Sequence, residues 1–455
     1  MNRFDIVRDL MMEKAGARFV QAIASMYVKT FYVPKTSETT TGQPILAQHG
    51  VTQGRKSSTS LFSFTMRNIP KSVHLPDSFL EGNHVYQLAD DSSIATNSFT
   101  DMKTGFGQLI DGSDEKFMKT NIDKTFYLHL FDNPTREDML LANGYTIKFA
   151  VNDEHLYLGM WFTASADVLK QIFCNLSKRA FHIKLFTDWL EINEMTPISI
   201  KIQVLYLCMF AAYLYGAECW WKIDAVKEKI LLVERKMLKR ILQVKPSTPN
   251  EIIYTELGRC DIITKIKVRQ KRFFERCNEL TEEEASLKTI LNMCKHLDMY
   301  KYYESLPDGM DDQNRNEMRD KITTSTATYC TTYKNLTGAT YNDAIYGQFL
   351  REDKRAVLTR WRLSCHSLQI ERGRYTSPLT PRDERTCPEC PLSIEDEHHV
   401  LFNCPLYHNV RFKFRDLLLR LPTVCDLLNP TNIDDANEVC DLLRNIEEIR
   451  KTEKI

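Results

Sequence analysis

Four residues late in the chain constrain its fold more than any other feature. Cys387, Cys390, a histidine and Cys404 follow the pattern C-x2-C-x8-H-x4-C when His399 is counted. A short turn offers two thiolates, and an arm returns with an imidazole and a third thiolate. Together they make the tetrahedral set that zinc prefers. Four protein ligands leave no open position, so the expected ion is a single structural zinc. His398 competes with His399 by spacing alone. The other cysteines suit a reduced chain: there are 13 in 455 residues, an odd and scattered number. The opening MNRFDIVRDL carries charges and no apolar run. The expectation is therefore a nuclear or cytoplasmic protein that is not secreted.

The length predicts about three domains. Lys+Arg 60 balances Asp+Glu 60, so any basic face must be local. The longest apolar run, Val204 to Ala217, has 14 residues, short of the ~20 a bilayer span needs, and is predicted as a buried core helix. Apolar spacing at Ile6, Val7, Leu10 and Met11 predicts a first helix with Asp5 as its N-cap and a break at Gly16. Residues 33–50 read as a short hairpin or loop, and a second helix follows Gly54. Val151-Asn152-Asp153 supplies turn chemistry between two β-rich runs, TIKFA and EHLYLGMWF. From Ala164 to Leu280 helical patterns dominate, 281–346 is acidic and polar, and an amphipathic tail ends the chain. The predicted layout is 1–163 mixed, 164–280 helical, 281–346 a polar linker or surface helices, and 347–455 a helical region holding the zinc. The fold class is α+β.

Asp90 and Asp91 lie between the apolar runs HVYQLA and SSIA, which predicts paired antiparallel strands presenting two carboxylates at the turn. Adjacent carboxylates repel, and a hard divalent cation such as magnesium relieves that repulsion. Residues 227–277 hold fourteen Lys/Arg against six Asp/Glu, an excess of eight, with the aromatics of KVRQKRFFER among them. Such a segment suits contact with a nucleic-acid backbone.

The runs HGVTQGRKSSTSLFSF, YQLADDSSI, NIDKT and YLGMWF, in that order, resemble the motif series of reverse transcriptases, and more narrowly those of LINE-type non-LTR retrotransposons. The resemblance covers roughly residues 1–275. It implies a partial palm of antiparallel sheet and helices followed by a helical thumb at 164–280. It implies that Gln53, Gly54 and Arg55 lie along template and nucleotide. Asp90 and Asp91 would be catalytic magnesium ligands, two ions being held in an intact member, and Lys124 would approach the triphosphate. Tyr157, Leu158 and Gly159 would position the primer end. RNA template, DNA primer and deoxynucleoside triphosphates are the implied partners, with no membrane. The family form E-D-E-x-H-x-L-F-x-C-P matches EDEHHVLFNCP and selects His399 over His398 as the zinc ligand.

Two features depart from the family pattern. Thr59 follows Ser58 where relatives carry proline, and the first catalytic aspartate falls before Met1 if Phe4-Asp5 is the aromatic–acidic pair after it. The chain then reads as a polymerase lacking fingers and one metal-bridging carboxylate. No nuclease pattern follows Cys404. Two functional readings result: an impaired RNA-directed DNA polymerase, and a non-catalytic nucleic-acid-binding remnant of one. Further expectations are an exposed edge on strand Tyr86–Ala89 and a zinc loop with Glu395, Asp396 and Glu397 in solvent. Val400, Leu401 and Phe402 should pack inward, and Cys365 and His366 are expected as core residues.

Overall fold

Helical spacing of apolar residues builds the N-terminal part as expected. The computed structural model describes residues 3–28, 30–34, 42–47, 50–51, 56–75, 85–96, 98–129, 137–150, 154–164, 167–279, 292, 294–325, 331–336, 342–347 and 350–452. Helices α1 (Arg3–Met12) and α2 (Ala17–Val28) are separated at Gly16, and α3 spans Lys56–Met66. Ile6 and Leu10 close on Val20, Ile23, Tyr27 and Leu61 in one buried cluster. Asp5 is not the cap of α1. The chain is already helical at Arg3, and Asp5 is buried in the first turn, paired with Arg8 at 2.7 Å.

The strands are short and belong to four small sheets among the described residues, not to one antiparallel palm sheet. Strand β1 (Phe31–Tyr32) pairs with β2 (Ile45–Leu46), and β3 (Val85–Leu88) with β4 (Asp91–Ile94). In the third sheet β7 (Thr146–Phe149) lies between β5 (Phe126–Tyr127), parallel to it, and β6 (Met139–Leu140), antiparallel. Strand β8 (Glu154–Tyr157) pairs with β9 (Met160–Thr163). The predicted hairpin about residues 151–153 is therefore not the pairing found; β7 and β8 have other partners, and 151–153 lie outside the described residues. Helix α4 (Phe99–Glu115) explains the fragmentation. Capped by Ser98, whose Oγ accepts from Asp101 N at 3.0 Å, it buries Phe106 and Ile110 against Tyr127, Met139 and Ile147. Its Leu109 packs with Met66, Ile69 and Val85. Two small sheets thus pack against the same helix.

The chain divides into two compact units, Met1–Gln171 with Arg276–Leu297, and Ile172–Glu275 with Asp298–Ile455. The second unit is helical among its described residues. The apolar run at 204–217 is half-buried: Leu205, Met209, Phe210, Tyr213 and Leu214 face inward, whereas Leu207 is 73% exposed. No helix among the described residues is long and apolar enough to cross a membrane. Within the polar stretch, Asp298–Glu304 and Met310–Thr324 are helices that bury Tyr300, Tyr303, Met310 and Ile322. Helix Glu352–Arg362 packs against the long helix Ile433–Thr452. Arg362 makes a buried two-point bond to Glu256, Nε at 2.7 Å and Nη2 at 3.0 Å, joining segments 106 residues apart. The fold is thus mixed α+β, mostly helical with small sheets.

Candidate metal centre and acidic hairpin

The C-x2-C turn forms because its backbone closes on itself. Cys390 N donates to Cys387 O at 3.1 Å, Ser393 N to Cys390 O at 2.8 Å, and Cys387 N to Ser393 O at 2.8 Å. The returning arm is one helical turn, His399–Asn403, opened by Asp396 Oδ1 accepting from His399 N at 2.9 Å and closed by Cys404 N donating to His399 O at 2.8 Å. The ligand atoms of Cys387, Cys390, His399 and Cys404 all lie within 4.8 Å of one another. Cys387 Sγ and Cys404 Sγ are 3.8 Å apart, far longer than a disulfide. Two sulfurs bound tetrahedrally at ~2.3 Å stand about 3.8 Å apart, the same separation. His399 Nε2 is buried with no hydrogen-bond partner among the described residues, the state of a ring nitrogen that faces a cation. His398 is exposed instead, near Phe402 and within 3.4 Å of Asn403 Nδ2. The four residues therefore fit a metal ion. Burial pushes the Cys404 thiol up to about 12, and raises Cys387 as well. A bound cation supplies the charge that lets such thiols ionise.

One expectation about this loop fails. Glu395 and Glu397 are buried, at 1% and 6% exposure, and only Asp396 of the three is partly open. Each has a partner distant in sequence. Arg450 spans both oxygens of Glu395, with Nη2–Oε2 at 3.2 Å, and Gln369 N donates to Oε2 at 2.7 Å. Arg450 also donates to Tyr407 Oη at 3.1 Å. Glu397 Oε1 lies 2.9 Å from His366 Nε2. Val400 and Leu401 are fully buried and Phe402 half-buried. Cys365 and His366 are core residues, as expected, and stay outside the ligand set.

The paired aspartates sit on the predicted hairpin. Strands β3 and β4 meet through Ala89-Asp90, with Leu88 opposite Asp91 and Ala89 at a φ of 56°. Both carboxylates are exposed, and among the described residues no third ligating group joins them. Two neighbouring carboxylates alone do not fit a pair of magnesium ions, which needs ligands from more than one element. Lys124 ends a short turn, Ile122–Lys124, and is exposed. Tyr157 closes β8, and Leu158-Gly159 make the β8–β9 turn with φ of 47° and 76°. That turn class requires positive φ at both positions, which Gly159 adopts freely. Among the described residues no hydrogen bond or ion pair joins Asp90, Asp91, Lys124 and Tyr157. Gln53, Gly54 and Arg55 lie outside the described residues.

Half of the basic excess of 227–277 is answered by acids from elsewhere in the chain. Arg240 pairs with Glu191 at 2.6 Å, Lys267 with Asp224 at 2.8 Å, Lys271 with Asp308 at 2.5 Å, and Arg269 with Glu218. All four acids come from outside the segment. Lys265 and Arg259 stack on Tyr206, at 3.5 and 4.6 Å from its ring centre. Sequence reasoning missed Arg450 and its partners. One signal was present: Arg450 continues the spacing of Val439, Leu443 and Ile446 on the buried stripe of its helix. Neither a comparison with protein-family models nor one with curated proteins finds a match to this chain.

Proposed function

We propose that this chain is a nucleic-acid-binding protein of the reverse-transcriptase lineage of non-LTR retrotransposons, stapled in its C-terminal part by one structural zinc. The observation that carries the reading is the convergence of Cys387, Cys390, His399 and Cys404, in the chain order that the resemblance implies. Three thiolates and an imidazole in a closed set select zinc over harder ions. The zinc would hold the fold and take no part in a reaction. Two tight turns at the A-D-D and Y-L-G tips add support. Single-stranded template RNA and a DNA primer are the proposed partners, met in the nucleus or cytoplasm.

The polymerase reading stands second, favoured by Asp90 at an open hairpin tip and opposed by the lack of a third carboxylate beside it among the described residues. Primer extension on an RNA template with magnesium and deoxynucleoside triphosphates, run beside binding to the same primer–template, separates the two. The expected result is binding with little or no incorporation. Robust incorporation that vanishes in Asp90→Ala would make the chain an active polymerase, and absence of binding would overturn the proposal.

A further inference from the structure

The loop 372–385, which leads into the metal turn, is built more rigidly than an exposed connection needs. Arg385 is buried at 7% exposure and all three of its guanidinium nitrogens donate to backbone carbonyls, of the loop and of Ile370 just before it. Its Nε and Nη2 donate to Thr380 O at 2.9 and 2.8 Å, and its Nη1 to Ile370 O at 2.8 Å. Gly373 lets this side chain cross the backbone; a Cβ there would stand 2.7 Å from Arg385 Cγ. Thr376 and Thr380 tie the middle, with Oγ1–Oγ1 at 2.8 Å and Thr380 N donating to Thr376 Oγ1 at 3.0 Å. Arg385 O accepts from Glu395 N at 2.9 Å, which anchors the loop to the metal module.

What this scaffold presents lies mostly in solvent. Tyr375 is 62% exposed, steadied by Ser247 Oγ at 3.3 Å from its hydroxyl, with Lys245 Nζ 5.5 Å from its ring centre. Arg372 and Arg382 are exposed, and among the described residues neither pairs with a carboxylate. Most arginines around them do: Arg374 with Glu371, Arg362 with Glu256, Arg450 with Glu395. Asp383 and Glu384 are exposed on the same loop and weaken its field, so it suits a contact of a few nucleotides and not a long basic track.

We propose that this loop and the Lys245 turn bind single-stranded nucleic acid, one base stacking on Tyr375 and the flanking phosphates meeting Lys245, Arg372 and Arg382. Stacking tolerates any base because every base has a π-face, and the exposed cations answer the backbone. The inference rests on the nucleic-acid reading above and gives it a location.

The test is fluorescence anisotropy of the full zinc-loaded chain with labelled oligouridylate and its DNA counterpart. Tyr375→Ala should weaken binding by about fivefold or more, the loss expected for one stacked base. Tyr375→Phe keeps the ring and should bind as the parent does. Arg372→Ala with Arg382→Ala should reduce the slope of log K against log salt by about 1.4, at ~0.7 per phosphate. Circular dichroism and zinc content identify a variant that has misfolded. Loss on either strand supports the assignment and identifies which one the loop takes. Parental affinity in Tyr375→Ala with an unchanged salt slope overturns the loop alone. A parent that binds neither strand overturns the nucleic-acid reading and the loop with it.

Discussion

Replacing Arg450 by methionine should loosen both the metal loop and the helix that carries the substitution. Arg450 is 2% exposed and Glu395 1%. The guanidinium spans the Glu395 carboxylate and also donates to Tyr407 Oη at 3.1 Å and Ser367 O at 3.0 Å. Methionine fills much of the volume but strands a buried carboxylate, which costs about 3–5 kcal/mol when one partner of a buried pair is removed. Gln369 N still donates to Glu395 at 2.7 Å, so the loss belongs near the lower end, about 3 kcal/mol. Adding Glu395→Gln removes the stranded charge and should recover about 1 kcal/mol or more, so the double variant is less damaged than the sum of the singles. Hydrogen exchange across Ile433–Thr452 reads the helix, and the rate of zinc transfer to a chelator reads the loop. Both should rise in Arg450→Met and fall back in the double variant. A change under about 1 kcal/mol, or strict additivity, would refute the claim that loop and helix share one buried pair.

Three further outcomes follow from the geometry. Metal analysis should find about one zinc per chain, lost in Cys404→Ser, because the closed set has no spare ligand; retention of the metal would exclude Cys404 from it. Gly112→Ala should destabilise the first unit by about 1–3 kcal/mol, since a Cβ there would stand 2.2 Å from Ser72 Oγ and 3.0 Å from Ser72 Cβ. Thermal melts of Gly112→Ala with and without Ser72→Ala check this, the second change relieving the first. Burial, aided by the nearby Arg259 charge, holds the Lys265 amine down at about 8. An unfolded lysine titrates near ~10.4, so between these values the unfolded chain binds more protons and stability rises with pH. Lys265→Met should therefore gain most below pH 8, by about 1–3 kcal/mol after solvent screening, and the gap should close towards pH ~10. A difference that does not vary with pH would reject this.

How much was legible depended on the range of the interaction. Local signals were read well: the apolar spacing of α1 and α2, the break at Gly16, the two-strand pairing around Asp90, and the ligand set. The errors share a cause. Glu395 and Glu397 look like solvent acids because Arg450 and His366 lie 55 and 31 residues away. The excess at 227–277 looks twice as large as it is because Glu191, Glu218, Asp224 and Asp308 fall outside that window. The expected palm strands fall into four small sheets among the described residues, a partition that the alternation of a single strand does not encode.

The distance from Cys404 to Arg450 also sets an order of events on the ribosome. At ~5–20 residues per second, the intervening stretch takes about 2–9 s to synthesise, and for that interval Glu395 has no counter-ion to close on. Until then Gln369 N is the distant donor left to Glu395, so the Ile433–Thr452 helix is the last element needed to complete the buried pair.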